Sequence, residues 1–229
     1  MKLGKNFIKI IIIKKTEVIL LLSGGIDSTT LLAELTSQSK QVHAISFDYG
    51  QRHLAEINFA ITNAAHYHVI AHHIIKLDFE SISATSMLTN QYKRPINYQE
   101  VPLPQGPNET YVPGRNLLML GYAAAYAEAN GLKDIYLAVN ADDGQRFPDC
   151  KPVFVDALNK LWQGCPNTEG INVLVPNILL TKARVILKSI ELGVNLQQTL
   201  SCYAPLGHKE CGTCLSCVLK KEALNQALR

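Results

Sequence analysis

An apolar run, Val18-Ile19-Leu20-Leu21-Leu22, breaks into Ser23-Gly24-Gly25-Ile26-Asp27-Ser28 and resumes as the helix-patterned stretch Thr29 to Leu35. Strand, glycine turn and helix in that order leave backbone N–H groups unpaired at a helix N-terminus, where partial positive charge favours an anion. Adjacent glycines let the backbone approach a ligand without Cβ interference. Ser23, Ser28 and Thr29 add hydroxyl donors. No lysine follows the second glycine, so this is not a Walker A loop, and it is not G-x-G-x-x-G. For Gly-Gly alone an ordinary βα turn is an equally good reading. The whole S-G-G-x-D-S string behind a buried strand is far more specific.

The same alternation continues down the chain. The first helix is predicted to end near Thr36. Val42–Phe47 reads as a second strand, residues 54–66 as a helix and Val69–Ile75 as a third strand. A long helix, Leu117–Asn130, stops at Gly131 and is followed by a strand over Asp134–Val139. A helix over Pro152–Trp162, a short strand over Val173–Pro176 and a helix from Lys182 to Leu192 complete the pattern, with Thr181 as N-cap and Gly193 as stop. Alternating strands and helices predict an α/β, doubly wound, mostly parallel sheet with right-handed crossovers. Ligands of such sheets sit beyond the carboxyl ends of strands. Ser23–Ser28 and Asp48–His53 both fall at such ends and are predicted to face one crevice. The polar stretch 81–113 carries Pro95, Pro102, Pro104 and Pro107. It reads as a flap over the site, or as a plain surface excursion.

With 229 residues and 47% apolar side chains, the chain suits one core and a small appendage. Residues 1–15 read as an N-terminal extension, an edge strand or a disordered arm, residues 16–200 as the α/β domain, and 201–229 as a cysteine segment with a helix. The net charge of +3 is too weak to argue for nucleic acid. No apolar run reaches the roughly 18 residues of a membrane helix. No small-residue cleavage site follows the first apolar run, so no signal peptide is expected and the location is read as cytoplasmic.

Four of the six cysteines, Cys202, Cys211, Cys214 and Cys217, cluster near the C-terminus. The last three form C-x2-C-x2-C, with Gly212 easing the turn. Four thiolates with no open position describe a closed structural zinc site. An iron–sulfur cluster also takes four thiolates, and this spacing matches part of a ferredoxin run.

S-G-G-x-D-S resembles the PP-loop of the N-type ATP pyrophosphatases, which have the adenine nucleotide alpha hydrolase-like fold and cut ATP between its α- and β-phosphates. S-G-G-x-D-S-T-T, Y-G-Q-R-H, Y-V-P-G-R-N, P-D-C and C-x8-C-x2-C-x2-C occur here in order from residue 23 to residue 217. Together they resemble the 7-cyano-7-deazaguanine synthase family of queuosine biosynthesis, over roughly Glu17 to the C-terminus. The resemblance implies that 7-carboxy-7-deazaguanine, ammonia and ATP become the nitrile preQ0, with release of AMP and pyrophosphate. It implies nucleotide contacts at Leu22, Ser23, Gly24, Gly25, Asp27, Ser28, Thr29 and Thr30. Ser23, Asp27, Arg115 and Lys182 are the implied catalytic set. Tyr49, Gln51, Arg52, His53, Asp149 and Cys150 are the implied substrate contacts. Structural Zn2+ on Cys202, Cys211, Cys214 and Cys217, Mg2+ with ATP, small-molecule substrates and a homodimer are implied as well. One loop departs from the family pattern: Gln145-Arg146 replaces Ser-Gly, and Lys151 replaces arginine. Two other readings stand beside this one. Another adenylating PP-loop enzyme for tRNA thiolation would need a free persulfide cysteine and a basic surface, whereas an ammonia-dependent ligase would not. A non-catalytic nucleotide-binding zinc protein would bind without turnover.

Overall fold

The computed structural model describes residues 16–228 except 53, 83, 91, 94, 95 and 166. The expectations for residues 1–15 and for His53 lie outside the described residues. Five strands, β1 (Glu17–Leu21), β2 (Gln41–Asp48), β3 (Ala71–Lys76), β4 (Asp134–Tyr136) and β5 (Asn172–Leu174), form a parallel sheet. Their order is β3-β2-β1-β4-β5. The helices are α1 (Ile26–Ser37), α2 (Ala55–His66), α3 (Arg115–Asn130), α4 (Ala141–Arg146), α5 (Pro152–Gln163), α6 (Lys182–Glu191) and α7 (Leu215–Ala227).

The central strand is apolar on both faces because both faces are covered. Val18, Leu20 and Leu22 pack with Leu31, Leu32 and Leu35 of α1 and Ala60 and Ala64 of α2. Ile19 and Leu21 pack on the other side, with Leu120, Ala123 and Ala127 of α3 and Val155, Leu158 and Trp162 of α5. Each fully buried Val, Leu or Ile among them contributes about 1.5–3 kcal/mol. Gly131 and Gly193 end α3 and α6 at φ +65° and +70°, as stop signals should. The Thr181 hydroxyl caps α6 by accepting the Arg184 N–H.

Chain order reverses between β1 and β4, so the crevice of this sheet lies beyond their adjacent carboxyl ends. β4 is shorter than its apolar run predicts. The Leu137 N–H still reaches Leu174 C=O at 3.1 Å, but the chain then leaves the ladder and Asn140 becomes the N-cap of α4. This divergence opens the crevice. α4 itself was not expected from the sequence.

The stretch 81–113 is irregular but well packed, and none of its described residues lines the crevice. Phe79, Met87, Leu88 and Tyr98 are buried. The Tyr98 N–H donates to Thr213 C=O at 2.9 Å, and Gln99 Nε2 donates to Gly212 C=O at 3.1 Å. It is an excursion fastened to the cysteine turn, not a flap over the crevice. The cysteine segment packs on Ala55 and Phe59 of α2, while α7 joins Ile26, Ala183 and Ile186 in a small core of its own. Among the described residues, no helix is long and apolar enough to cross a membrane.

Candidate active site

A cavity of about 240 Å³ lies beyond the ends of β1 and β4, and the glycine turn forms one wall. The turn is shaped by its own hydroxyls. Ser23 Oγ accepts the Gly25 N–H at 3.2 Å and lies 3.1 Å from Ser28 Oγ. Ser28 Oγ accepts the Ser23 N–H at 3.2 Å and donates to Gly25 C=O at 3.1 Å. Leu22, Ser23, Gly25, Asp27 and Ser28 line the cavity. Gly24 does not. A Cβ there would sit 2.2 Å from Glu56 O and 2.6 Å from Ala60 N, so its φ of +84° and missing side chain serve the contact with α2.

Two of the expected nucleotide contacts do not line the cavity. Thr29 and Thr30 are fully buried on α1, one helical step past the cavity. The Thr30 hydroxyl bonds back to Ile26 C=O at 2.6 Å, and Thr29 Oγ1 accepts from Asn63 Nδ2 at 3.4 Å. Their hydroxyls are spent inside the fold.

Asp27 lies in the first turn of α1, where a carboxylate is favoured by the helix dipole. One of its oxygens is paired with Lys182 Nζ, and the other accepts from Asn140 Nδ2 at 3.1 Å. Asn140 also caps α4, accepting from the Asp142 and Asp143 N–H groups, while Asp143 accepts the Asn140 N–H at 3.1 Å. The Lys182 N–H, at the start of α6, donates to Asp142 Oδ2 at 2.8 Å. Three helix starts therefore converge on one Lys–Asp pair. Burial, and then the charge of Asp27, push the Asp143 carboxyl up to about 6, with Lys182 opposing.

Arg115 opens α3 and faces the cavity from the opposite side. Its Nη1 donates to the Tyr49 hydroxyl at 3.1 Å, with the guanidinium 5.7 Å from the ring centre. Burial pushes the Tyr49 phenol up to about 12 despite Arg115, so Tyr49 stays neutral. Asp149 does not line the cavity. It is buried below Arg115, accepts the Asn116 N–H at 3.4 Å and has its carboxyl raised by burial. Cys150 does line the cavity, and burial drives its thiol well above the ordinary range, so it is a neutral wall group.

The Y-G-Q-R-H string divides. Tyr49 reaches the cavity, but Gln51 and Arg52 do not. Gln51 is buried and spans its own turn, accepting the Tyr49 N–H at 2.7 Å and donating to Phe47 C=O at 2.9 Å. Arg52 Nη2 donates to Asn90 C=O at 3.0 Å, tying the excursion down. Neither lines the cavity, and these contacts tie each to neighbouring segments of the chain. The residues at the cavity that the sequence reading did not single out are Asn140, bonded to Asp27, and Asp143, and Ser201 and Tyr203, which line it from the cysteine segment. Asn140 and Asp143 carry a detectable N-x-x-D variant of the capping box. Ser201 and Tyr203 carry no signal beyond adjacency to Cys202.

The ligand atoms of Cys202, Cys211, Cys214 and Cys217 all lie within 4.8 Å of one another. Two of the sulfur pairs, Cys211–Cys217 and Cys202–Cys214, are 4.0 Å apart. A tetrahedron with 2.3 Å metal–sulfur arms has edges of about 3.8 Å, so the four thiols fit a single ion. Backbone N–H groups point at the sulfurs: Cys211 to Cys202 at 3.2 Å, Cys214 to Cys211 at 3.4 Å and Tyr203 to Cys214 at 3.4 Å. Such donors stabilise thiolates and orient them.

A parallel sheet with its cavity at the switch point, walled by an S-G-G-x-D-S turn, defines a doubly wound α/β protein with a ligand site at its strand ends. The family described as queuosine biosynthesis protein QueC matches residues 17–228, and the chain belongs to it. A 7-cyano-7-deazaguanine synthase of Thermoplasma acidophilum is 40% identical over 217 residues, covering 93% of this chain and 90% of that one. A 7-cyano-7-deazaguanine synthase of Rickettsia bellii is 35% identical over 209 residues, covering 91% and 93%. Among solved structures, an NMN synthetase from Francisella tularensis superposes with a TM-score of 0.49 at 16% identity, over 88% of this chain and 70% of that one.

Proposed function

We propose that this chain converts 7-carboxy-7-deazaguanine and ammonia to 7-cyano-7-deazaguanine at the expense of ATP, for queuosine biosynthesis. One observation carries the reading. In a chain of this family, Ser23, Gly25, Asp27, Arg115 and Lys182 line one cavity. A carboxylate is a poor electrophile because oxide would have to leave. Attack of its oxygen on the α-phosphorus expels pyrophosphate and leaves an acyl adenylate. Ammonia then adds to the acyl carbon, AMP departs and a proton is lost, giving the amide. A second adenylation, on the amide oxygen, expels pyrophosphate again. Loss of AMP and the remaining N–H protons leaves the nitrile. Both adenylations act on a carbonyl oxygen bound to the same carbon, so one site serves both.

In this reading Ser23, Gly25 and Ser28 hold the departing pyrophosphate. Lys182 and Arg115 present fixed positive charge from opposite walls, and charge-assisted bonds of this kind strengthen as phosphate charge develops. Asp27 holds Lys182 in place. Tyr49 and Cys150, both neutral, border the space for the heterocycle. The carboxylates of Asp27 and Asp143 at the cavity are hard oxygen donors that suit Mg2+ arriving with ATP. Magnesium would neutralise phosphate charge during displacement. The cysteine set would hold Zn2+. The 4.0 Å sulfur separations support one ion over an iron–sulfur cluster, whose several irons spread their thiolates further. We further infer a cytoplasmic homodimer acting on small molecules. The weak net charge of +3 supports the absence of a nucleic-acid partner.

The test is a mixture of purified protein, 7-carboxy-7-deazaguanine, ATP, magnesium and ammonium, followed by mass spectrometry and nucleotide chromatography. The nitrile with AMP is expected. AMP without nitrile, or neither, overturns the reading.

A further inference from the structure

The cysteine segment crosses the glycine turn before it reaches its first thiol. The Leu200 N–H donates to Gly24 C=O at 3.1 Å. Ser201 Oγ accepts the N–H of Ile26, the first residue of α1, at 3.1 Å. That hydroxyl oxygen lies beside Gly25, 3.4 Å from where a Cβ would be, and Ser201 lines the cavity. The backbone of Ser201 is fixed on both sides. Its N–H donates to Glu210 Oε1 at 3.3 Å, and its C=O accepts from the Ser216 hydroxyl at 2.6 Å. Glu210 is in turn paired with Lys220 Nζ at 2.8 Å.

A serine hydroxyl has one proton to give and two lone pairs. Within the turn Ser28 donates to Gly25 C=O and Ser23 shares its contact with Ser28, so each must exchange that contact to meet a phosphate. Ser201 uses a lone pair on Ile26, and its proton has no acceptor among the described residues. It is thus a hydroxyl donor at the rim of an anion cradle, supplied from outside the motif.

We propose that Ser201 is a phosphate-binding residue of the ATP site. It accepts the Ile26 N–H and donates its own O–H to the pyrophosphate portion of the nucleotide, and the cysteine knot through Cys202 fixes its position. The idea rests on reading Ser23–Ser28 as the ATP phosphate cradle. It adds that the second wall of that cradle belongs to the metal segment, about 175 residues further along the chain.

Pyrophosphate affinity, measured by calorimetry on metal-loaded protein, tests this without any deazaguanine substrate. Loss of a hydrogen bond to a charged group corresponds to about tenfold or more in affinity. Ser201→Ala is expected to weaken pyrophosphate at least about tenfold and to raise the KM for ATP more than it lowers kcat. Its metal content and melting temperature should match the unsubstituted protein. Ser201→Thr keeps the hydroxyl and should restore most of the affinity. Unchanged pyrophosphate affinity in Ser201→Ala overturns the proposal. So does weakening that Ser201→Thr fails to rescue, or loss of metal from Ser201→Ala, since either assigns the residue to the knot alone. If the unsubstituted protein binds pyrophosphate but makes no nitrile, the proposed reaction fails while this inference stands or falls on the affinities.

Discussion

Gly24 and Gly25 are adjacent, yet alanine should have opposite effects at the two positions. At Gly24 the backbone holds φ +84°, which costs a residue with a Cβ about 1–2 kcal/mol. The Cβ would also press against Glu56 O at 2.2 Å and Ala60 N at 2.6 Å, both backbone atoms of α2. Overpacking of this kind costs about 1–3 kcal/mol. Reduced freedom of the unfolded chain returns about 0.4–1 kcal/mol. The net loss is roughly 1–4 kcal/mol, a fall in Tm on the order of 10 °C for a chain of this size. At Gly25 the backbone has φ −78°, open to any residue. The nearest atoms to its Cβ would be Ser23 Oγ at 3.3 Å and Ser201 Oγ at 3.4 Å, both on the cavity wall. Gly25→Ala should therefore melt within about 2 °C of the unsubstituted protein, because the tightest contact is with a side-chain hydroxyl that need give only slightly. Its methyl intrudes on the cradle, so its pyrophosphate affinity should drop. Thermal melting of metal-loaded protein and pyrophosphate calorimetry give both readings. Should Gly24→Ala melt within 2 °C of the parent, or Gly25→Ala fall as far as Gly24→Ala, the division of labour between the two glycines is wrong.

Lys182→Met removes the cation between Asp27 and the cavity and should lower turnover at least about 100-fold, the usual scale for one charge-stabilising donor. Lys188→Met, which breaks a pair with Glu34 at 2.7 Å away from the cavity, should leave turnover near normal in the same assay. Asp143 keeps its proton longer in the folded state than in the unfolded one, because its carboxyl is raised from 3.8 to about 6. That contribution to stability is full below about pH 4 and is lost as pH rises through 6. Asp143→Asn should thus gain stability relative to the parent between pH 4 and pH 7, by about 1–3 kcal/mol in urea titrations; a flat or reversed difference refutes the assignment. Purified protein should carry one metal ion per chain, and stripping it with a chelator should weaken pyrophosphate binding as well as lower Tm, since Ser201 and Leu200 precede the first ligand directly.

Much of the sheet was legible because its physics is local. Val18–Leu22 is apolar without alternation, as a strand buried on both faces must be. Gly131 and Gly193 marked helix ends because left-handed φ favours glycine. The C-x2-C-x2-C spacing placed three sulfurs together for the same local reason, since C-x2-C is one turn of chain, and Cys202 joins them from nine residues upstream. Orientation was not legible. S-G-G-x-D-S-T-T gave the neighbourhood of Thr29 and Thr30, but α1 carries them past the cavity and into the core. Gln51 lay in the right string and faced its own backbone. α4 is six residues long and holds a glycine, so its amphipathic signal is too short to register, and only its Asn140–Asp143 box announces it. Ser201 could not have been found, because its partner Ile26 is 175 residues away.

The position of the cysteine knot carries an argument that its spacing does not. A closed four-thiol site has no open position for a substrate, so its ion takes no direct part in chemistry. If it only fastened α7, it could lie anywhere along that helix. It lies instead where Leu200 and Ser201 meet the glycine turn, where Tyr203 borders the cavity, and where Gly212 and Thr213 receive Gln99 and Tyr98 from the long excursion. These irregular segments have few ladder hydrogen bonds of their own and would open readily if held by nothing else. A single ion on Cys202, Cys211, Cys214 and Cys217 would fix them together beside the glycine turn. Such an ion would set where the Ser201 hydroxyl and the Leu200 N–H stand against that turn.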